Sequence, residues 1–280
     1  MKVKALQNLR QKLKKNEPIY GLWVTLESAS ITEMAVALGL DWVVIDAEHG
    51  HLDWKDINSH ISAALRSDTV VLVRIAERST ILSKRALDIG ADGIIIPWME
   101  KVEEVEEAVR DCRYPPEGRR GIGGERSTAW GQCLSEHANE ANENVLIVPL
   151  IESIDAIPNV ANMCKIDGID LFFFGPADFS STAGFRGQWE GPGIAKQILQ
   201  LKNTIKAAGK HCGVVSTSIQ NLSERRDQGF QMLALGADTG LLLRSMHQSL
   251  KEVDRDLLPA TSLDPADGSL VSKSDSGNKK

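Results

Sequence analysis

Between residues 19 and 246 the sequence alternates short apolar runs with longer segments in which apolar residues recur at helical spacing. A run of roughly four to eight apolar residues suits a buried strand, whereas a period of about 3.6 suits a helix that packs along one face. Strict alternation of the two indicates βα units around a parallel sheet. Strands are predicted at 21–26, 42–46, 70–74, 93–97, 145–151, 171–175, 212–216 and 232–235. Eight strands, each leading into a helix, fit one closed (β/α)8 barrel, the TIM-barrel fold.

Helices are predicted between these strands. They are expected at 31–38, 54–66, 81–89, 102–112, 194–208 and 222–228. Gly39, Gly90 and Gly209 each follow a predicted helix and can adopt the left-handed conformation that ends it, so the helix-to-strand connections are short. The strand-to-helix connections are longer and rich in Gly, Asp, Glu, His and Arg. In a barrel these connections form the C-terminal face, where active sites lie.

The length of the chain and its two ends predict one domain with a tail. A single barrel commonly reaches about 250 residues, so we expect one barrel domain at 1–258 of the 280 residues. Its first segment carries Leu6, Leu9 and Leu13 at helical spacing and predicts a short N-terminal helix. Residues 259–280 are rich in Ser, Asp and Lys with almost no apolar content, which predicts a disordered polar tail.

Charge and cysteine usage restrict the partners and the compartment. The formal net charge is -6 and the basic residues are dispersed, so the basic surface that a phosphate backbone requires is missing and we expect no nucleic-acid partner. The basic N-terminus is not followed by an apolar run, which predicts neither a secretory signal nor a membrane anchor. The four cysteines are far apart and lack zinc-site spacing, so we expect reduced thiols. Together these features predict a cytoplasmic protein without a membrane partner.

Ionisable residues occur where four of the predicted strands end. These residues are Asp46 and His49 after the second strand, Arg74 at the third, Glu152 at the fifth and Asp178 after the sixth. A charge beside a buried strand is costly unless it has a charged partner or a metal ion. The four strand ends therefore define the candidate active site.

Glu152 and Asp178 follow consecutive strands, which predicts that they are neighbours about 5 Å apart across one strand spacing. Two carboxylates at that distance repel each other unless a cation lies between them, and a hard divalent ion prefers carboxylate and water oxygens. Two protein ligands leave coordination positions open for substrate, as in catalytic metal sites. The alternative for either residue alone is an acid in the first turn of a helix, favoured by the helix dipole.

The segment Gly175, Pro176, Ala177 and Asp178 forms a turn out of the sixth strand. Such a turn can direct backbone N–H groups into the mouth of the barrel, where they bind carboxylate or phosphate oxygens. Arg74 would complete this anion site as a fixed positive charge. The segment and Arg74 are therefore predicted to bind an anionic substrate.

The residues after the second and third strands could have a structural role or a catalytic role. Arg74 could instead form a structural ion pair with Asp46 or Glu48. Asp46 and His49 are three residues apart, close enough for the carboxylate to orient the imidazole. An oriented histidine with a pKa near neutrality is a general acid or base, so Asp46, His49 and Arg74 are the predicted catalytic residues.

With these segments placed, the sequence resembles the HpcH/HpaI family of class II pyruvate aldolases over nearly the whole barrel. The resemblance is carried by WVVIDAEHG, VLVRI, KRALDIGADGIIIP, YPPEGRRGIGG and GPADFSSTAG, in the order and spacing of that family. It implies a barrel of the phosphoenolpyruvate/pyruvate-binding type. It also implies an aldolase that forms or uses a pyruvate enolate from a 2-oxo acid, with oxaloacetate decarboxylation as a related reaction.

The resemblance also implies roles for the individual residues. Glu152 and Asp178 would hold a divalent Mg, Mn or Co ion, and the substrate carboxylate would meet the backbone N–H groups of Ala177 and Asp178. Arg74 would lie over the keto oxygen and stabilise the enolate. Family members are typically hexamers, built as trimers of dimers.

Asp46 and His49 match the family dyad that handles protons. The sequence departs from the family at Leu150, where these aldolases commonly carry Gln two residues before the metal-binding Glu. This departure leaves the acceptor open. One alternative is an acyl-CoA lyase of the citrate lyase or malyl-CoA lyase type, and another is a macrophomate synthase-like addition of the enolate to a bulky acceptor. A non-catalytic barrel is opposed by the intact set of ionisable residues.

Overall fold

The computed structural model describes residues 1–189 and 191–255. Its strands are all parallel and close into one barrel in chain order, which confirms the predicted (β/α)8 fold. The strands are β1 Ile19–Val24, β2 Trp42–Asp46, β3 Val70–Arg74, β4 Gly93–Ile96, β5 Leu146–Ile151, β6 Leu171–Phe174, β7 His211–Val215 and β8 Met232–Ala237. Each overlaps one of the predicted apolar runs.

Helices alternate with the strands along the chain, as the 3.6-residue spacing predicted. They are α1 Val3–Lys14, α2 Ser30–Ala37, α3 Trp54–Ala63, α4 Thr80–Asp88, α5 Val102–Cys112, α6 Leu134–Asn144, α7 Val160–Met163, α8 Pro176–Thr182, α9 Ile194–Ala207, α10 Ile219–Asp227 and α11 Asp238–Lys251. The sequence did not predict α6, because its buried residues, His137, Ala141 and Asn144, include no large aliphatic side chain. A helix held by small and polar residues lacks the apolar period that sequence reading detects.

The core lies inside the barrel and extends to α1. The shared apolar cluster includes Leu6, Leu9, Leu13, Trp42, Val44, Leu72, Ile95, Val148 and Phe173. Two hydrogen bonds place α1 at the amino-terminal ends of the strands: Gln231 Nε2 donates to Leu13 O at 2.9 Å, and Arg10 Nη1 donates to Asn144 O at 2.9 Å. The helix α1 lies in the segment for which the sequence predicts an N-terminal helix, and it closes the end of the barrel away from the carboxyl ends of the strands.

The chain divides into two compact units, Met1–Ala237 and Asp238–Lys280. The first contains the complete barrel. In the second, the structure describes the helix α11 and the residues up to Arg255, and several large apolar side chains of this unit are exposed: Leu242, Leu243, Met246, Leu250 and Val253. The predicted tail at 259–280, and the end of the predicted domain at 256–258, lie outside the described residues.

Two further observations concern the cysteines and the helices. All four cysteines are free thiols, and Cys133 is the exposed one among them. None of the described helices combines the length and the apolar character that crossing a membrane requires.

His137 in α6 is expected to make stability depend on pH. Its Nε2 is buried without a hydrogen-bond partner, and its ring contacts the edge of Tyr114 with centroids 5.9 Å apart. Burial, then the positive N-terminus and Arg120, lower the pKa of His137 to about 4. Because the unfolded chain then binds the proton more readily, the protein loses stability as the pH falls from about 6.5 towards 4.

His137→Phe should remove this loss, since the phenyl ring has no proton to bind. The difference in free energy of unfolding between the variant and the wild type measures this effect. We expect that difference to be about 2 kcal/mol more favourable to the variant at pH 5 than at pH 7.5. Urea denaturation at the two pH values measures the effect, with the surface substitution His51→Phe as the control. An unchanged pH dependence in His137→Phe would contradict this assignment.

Candidate active site

A cavity of about 250 Å³ opens at the carboxyl ends of the strands. This is the face where barrel enzymes place their active sites. The cavity contains every predicted site residue in its lining, which consists of Trp23, Thr25, Asp46, His49, Arg74, Leu150, Glu152, Phe173, Phe174, Gly175, Pro176, Ala177, Asp178, Trp189, Val215 and Ala237. Barrel closure thus brings together predicted site residues that are up to 132 positions apart, from Asp46 to Asp178.

Asp46 and Arg74 form a buried, two-pronged ion pair at one side of the cavity. They are register partners in β2 and β3. Arg74 Nε donates to Asp46 Oδ1 at 3.0 Å and Arg74 Nη2 donates to Oδ2 at 2.5 Å. Burial alone raises the pKa of Asp46, but the hydrogen bonds and the charge of Arg74 outweigh burial and hold the pKa below its ordinary value. Asp46 is therefore an ionised carboxylate that fixes the orientation of the Arg74 guanidinium plane.

Glu48 extends this ion pair. Arg74 Nη1 lies 2.8 Å from Glu48 Oε2, although that oxygen is buried without a hydrogen bond of good geometry. Burial raises the pKa of Glu48, and the charge of Arg74 opposes the rise. The alternative that Arg74 forms ion pairs with Asp46 or Glu48 is confirmed for both, and the guanidinium lines the cavity at the same time.

Glu152 is held in a buried position directly after β5, with 2% of its surface exposed. Its Oε1 accepts a hydrogen bond from the Trp98 backbone N–H at 2.8 Å. Trp98 has a φ of 54°, an unusual conformation for a bulky residue, and this conformation points the N–H at the carboxylate. On the other side, a Cβ at Gly175 would lie 2.7 Å from Glu152 Oε2, so only glycine leaves room for the carboxylate.

The environment of Glu152 disfavours its negative charge. Burial raises the pKa of Glu152 to about 8, and the nearby charges of Glu48 and Asp178 add to the rise. The hydrogen bond from Trp98 and the charge of Arg74 act in the opposite direction without overcoming it. A buried carboxylate in this situation is compensated by a proton or by a cation.

Asp178 lies in the first turn of α8 and lines the cavity. Its Oδ2 is 3.9 Å from Nε2 of His49. The hydrogen bond between His49 and Asp46 runs from the His49 backbone N–H to Asp46 Oδ1 at 3.3 Å. The structure therefore brings the imidazole near Asp178, while Asp46 holds the loop that carries the histidine.

A family model described as HpcH/HpaI aldolase/citrate lyase matches residues 19–245, which is most of the chain. The chain belongs to the HpcH/HpaI family. Curated relatives of this family member include the hydroxypyruvate/pyruvate aldolase of Roseobacter denitrificans, 31% identical over 86% of this chain and 94% of that enzyme. The 4-hydroxy-2-oxo-heptane-1,7-dioate aldolase of Salmonella arizonae is 32% identical over 83% of this chain and 89% of that enzyme.

A solved structure extends the comparison to the fold. The HpcH/HpaI aldolase/citrate lyase family protein of Burkholderia cenocepacia J2315 superposes with a TM-score of 0.84 at 32% identity. The match covers 88% of this chain and 99% of that protein. The family resemblance predicted from the strand-end segments is thus confirmed, and the chain is an enzyme of a lyase family.

The site of this HpcH/HpaI family member has the donor set that a hard divalent ion requires. Glu152 and Asp178 offer carboxylate oxygens at neighbouring strand ends, and both line the same cavity. Within the described residues, no group of three or more His, Cys, Asp or Glu side chains is arranged to hold an ion. A site with two protein ligands fits both observations, because water and substrate then supply the other positions.

The apolar lining of the cavity was largely missed by sequence reading. The predicted site contained the charged residues and the turn at 175–178, but not Trp23, Phe173, Trp189 or Val215. Trp23 and Phe173 lie in strands, where successive side chains point to opposite faces. This two-residue alternation could have predicted that both side chains point into the barrel. Trp189 lies outside every predicted element and had no such signal.

Proposed function

We propose that this enzyme is a divalent-metal-dependent pyruvate aldolase that makes or breaks a carbon-carbon bond next to a 2-oxo acid. The observation that carries the proposal is Glu152: a buried carboxylate with a raised pKa that lines the same cavity as Asp178 and the fixed guanidinium of Arg74. With a divalent ion held by the two carboxylates, such an arrangement would place positive charge where an enolate develops its negative charge.

Glu152 and Asp178 would hold the ion, which is Mg, Mn or Co in this proposal. When bound, the ion acts as a Lewis acid that withdraws electron density from the keto oxygen of the substrate. The fixed position of Glu152 between the Trp98 N–H and Gly175 supports this role, since a ligand already held in place loses little freedom when the ion binds.

Arg74 would bind the 2-oxo acid and stabilise the oxygen of the enolate. Its guanidinium is already fixed by Asp46 and lies with its central carbon 4.9 Å from the Trp23 ring centroid, so no side-chain reorganisation is required during the reaction. The substrate carboxylate would meet the turn of Gly175, Pro176 and Ala177, with the backbone N–H groups of Ala177 and Asp178 as donors.

His49 is the proposed general acid or base, and Asp46 acts on it by holding its backbone. The imidazole is exposed at the rim of the cavity, 3.9 Å from Asp178, where a proton can be exchanged with solvent. In the cleavage direction a base removes the proton of the hydroxyl group next to the scissile bond. The bond breaks, an aldehyde leaves, and the enolate takes a proton at carbon to give pyruvate.

Assembly and location are further parts of the proposal. Leu242, Leu243 and Met246 expose apolar surface on α11, with 47%, 53% and 54% of their surface accessible. Apolar residues grouped in this way are typical of a protein interface. We propose a homo-oligomer, a hexamer built as a trimer of dimers, in the cytoplasm.

One observation favours a second candidate. Leu150 lines the cavity where these aldolases commonly have Gln, and the surrounding wall is apolar and aromatic. This supports a macrophomate synthase-like addition of the enolate to a bulky acceptor. The acyl-CoA alternative requires a basic surface for CoA, whereas the basic residues that line the described cavity are Arg74 and His49.

Removing the metal is expected to abolish the reaction. After EDTA treatment and removal of the chelator, decarboxylation of oxaloacetate should fall by about a hundredfold or more, because the Lewis acid contributes several kcal/mol. Added Mg or Mn should restore the rate. Oxaloacetate with the same metal but no protein is the control for the uncatalysed reaction. A rate that survives verified metal depletion would contradict metal dependence, and no activity on pyruvate-type substrates in either state would overturn the proposed function.

A further inference from the structure

The lining of the cavity is divided into a charged side and an apolar side. The ionisable residues come from β2 and β3 and from the ends of β5 and β6. The strands β7, β8 and β1 are consecutive in the closed barrel and contribute Val215, Ala237 and Trp23, and Thr25, directly after β1, adds an uncharged hydroxyl group. Trp189, from the loop after α8, joins this side. We call Val215, Ala237, Trp23 and Trp189 the apolar arc, and none of them can carry a charge.

The apolar character continues below the arc. Leu150 and Phe173 are each 1% exposed, and the rings of Phe173 and Trp23 have centroids 5.4 Å apart. Trp23 Nε1, the polar atom of the indole, donates to Asp46 Oδ2 at 3.1 Å. With that atom occupied, the indole presents carbon to the cavity.

The charged side has no positive charge to spare for a second anionic group. Arg74 is paired with Asp46 and Glu48. Its one positive charge stands against four carboxylates, those of Asp46, Glu48, Glu152 and Asp178. A divalent ion leaves the site with a net negative charge, and the 2-oxo acid adds another. Among the described residues of the cavity lining, the apolar arc offers no cation, so an acceptor that carried its own carboxylate there would lose hydration without gaining an ion pair.

We propose that the acceptor aldehyde of this enzyme has an uncharged, apolar chain that lies on the apolar arc. The inference rests on the proposed function. In the synthetic direction, the methyl carbon of pyruvate loses a proton to form the enolate. That carbon then bonds to the aldehyde carbon, and the aldehyde oxygen takes a proton to become the hydroxyl group. The relative from Salmonella arizonae is named for a product that ends in a second carboxylate, and this chain would select against such a chain end.

Two aldehydes of the same shape test the inference. Succinic semialdehyde and 4-methylpentanal have the same number of non-hydrogen atoms, and a carboxylate in the first replaces an isopropyl group in the second. With pyruvate as donor and Mg present, kcat/KM for 4-methylpentanal should exceed that for succinic semialdehyde by about tenfold or more. A ratio of one or less would overturn the inference.

Val215 provides a matched pair of variants, because its side chain lies on the arc and is half-buried. Val215→Arg should lower the ratio by about tenfold or more, since it supplies a cation for the carboxylate. Val215→Met adds a chain without charge and should keep the preference for 4-methylpentanal. An arginine variant that keeps the wild-type ratio while it remains folded would also overturn the inference.

Exchange of the pyruvate methyl protons with deuterium, measured without any aldehyde, tests the proposed enolate-forming function separately from the acceptor inference. If the wild type exchanges the methyl protons but prefers succinic semialdehyde to 4-methylpentanal, the acceptor inference is wrong and the proposed enolate site stands. If the metal-loaded protein forms no enolate, the proposed function fails and the acceptor inference fails with it.

Discussion

Glu152→Gln is expected to lower the affinity for Mn by about a hundredfold or more and oxaloacetate decarboxylation by about a thousandfold. Gln has the shape of Glu without its negative charge, so the Trp98 N–H can still donate to the side-chain oxygen. The loss then reports the charge of the carboxylate rather than its packing. Calorimetric titration with Mn measures the affinity, and the decarboxylation assay measures the rate.

The same substitution should stabilise the metal-free protein at alkaline pH. The pKa of Glu152 is raised to about 8 by burial, above its value in the unfolded chain. Stability is therefore full below about pH 4.5 and is lost as the pH rises through about 8. Glu152→Gln removes that dependence and should gain about 4 kcal/mol at the alkaline end in the presence of a chelator.

Two further variants separate the site from the surface. Glu107→Gln changes an exposed carboxylate that pairs with Arg78, and it should leave Mn affinity unchanged. Gly175→Ala keeps the Glu152 side chain in the sequence but adds a Cβ that would lie 2.7 Å from Oε2, so it should displace the carboxylate and weaken Mn binding by about tenfold or more. Tight Mn binding by Glu152→Gln would show that the ion is held elsewhere.

Arg74→Lys is expected to lower kcat by about a hundredfold to a thousandfold, the cost of removing one oxyanion donor. Lysine keeps the charge but cannot match the two-pronged bond to Asp46, so the cation is no longer held toward the keto oxygen. Affinity for Mn should fall by less than about tenfold, because Glu152 and Asp178 remain. Steady-state decarboxylation and Mn titration together distinguish a fault in catalysis from a fault in metal binding.

The control is Arg78→Lys, the same substitution in a largely exposed ion pair with Glu107. It should change neither kcat nor Mn affinity. Thermal unfolding of both variants shows whether Arg74→Lys has kept the fold. If Arg74→Lys is folded and as active as the wild type, Arg74 is a structural ion-pair residue and the enolate oxygen is stabilised by other groups.

Much of the site could be predicted because strands that are consecutive in the chain are neighbours in a barrel. Parallel strands that follow each other in sequence lie side by side, so the charges after β2, β3, β5 and β6 had to meet at one end. The pairing of β2 with β3 follows from this rule, and their register in the structure then places Asp46 opposite Arg74. What could not be predicted was the partner of each group: Asp46 binds the backbone of His49, and the imidazole is near Asp178.

The sequence by itself determined the barrel, its eight strands and the N-terminal helix, because local periodicity indicates each of these elements. It also determined the charged residues of the site, because each lies at or just after the end of a strand. Only the tertiary structure decided the environment of those residues. The burial that raises the pKa of Glu152, the N–H of Trp98 and the space left by Gly175 all depend on segments far apart in the chain. The apolar arc was likewise a product of closure, since β1 meets β8 only when the sheet becomes a barrel. Desolvation and shape are properties of that closed assembly, and no local stretch of sequence carries them.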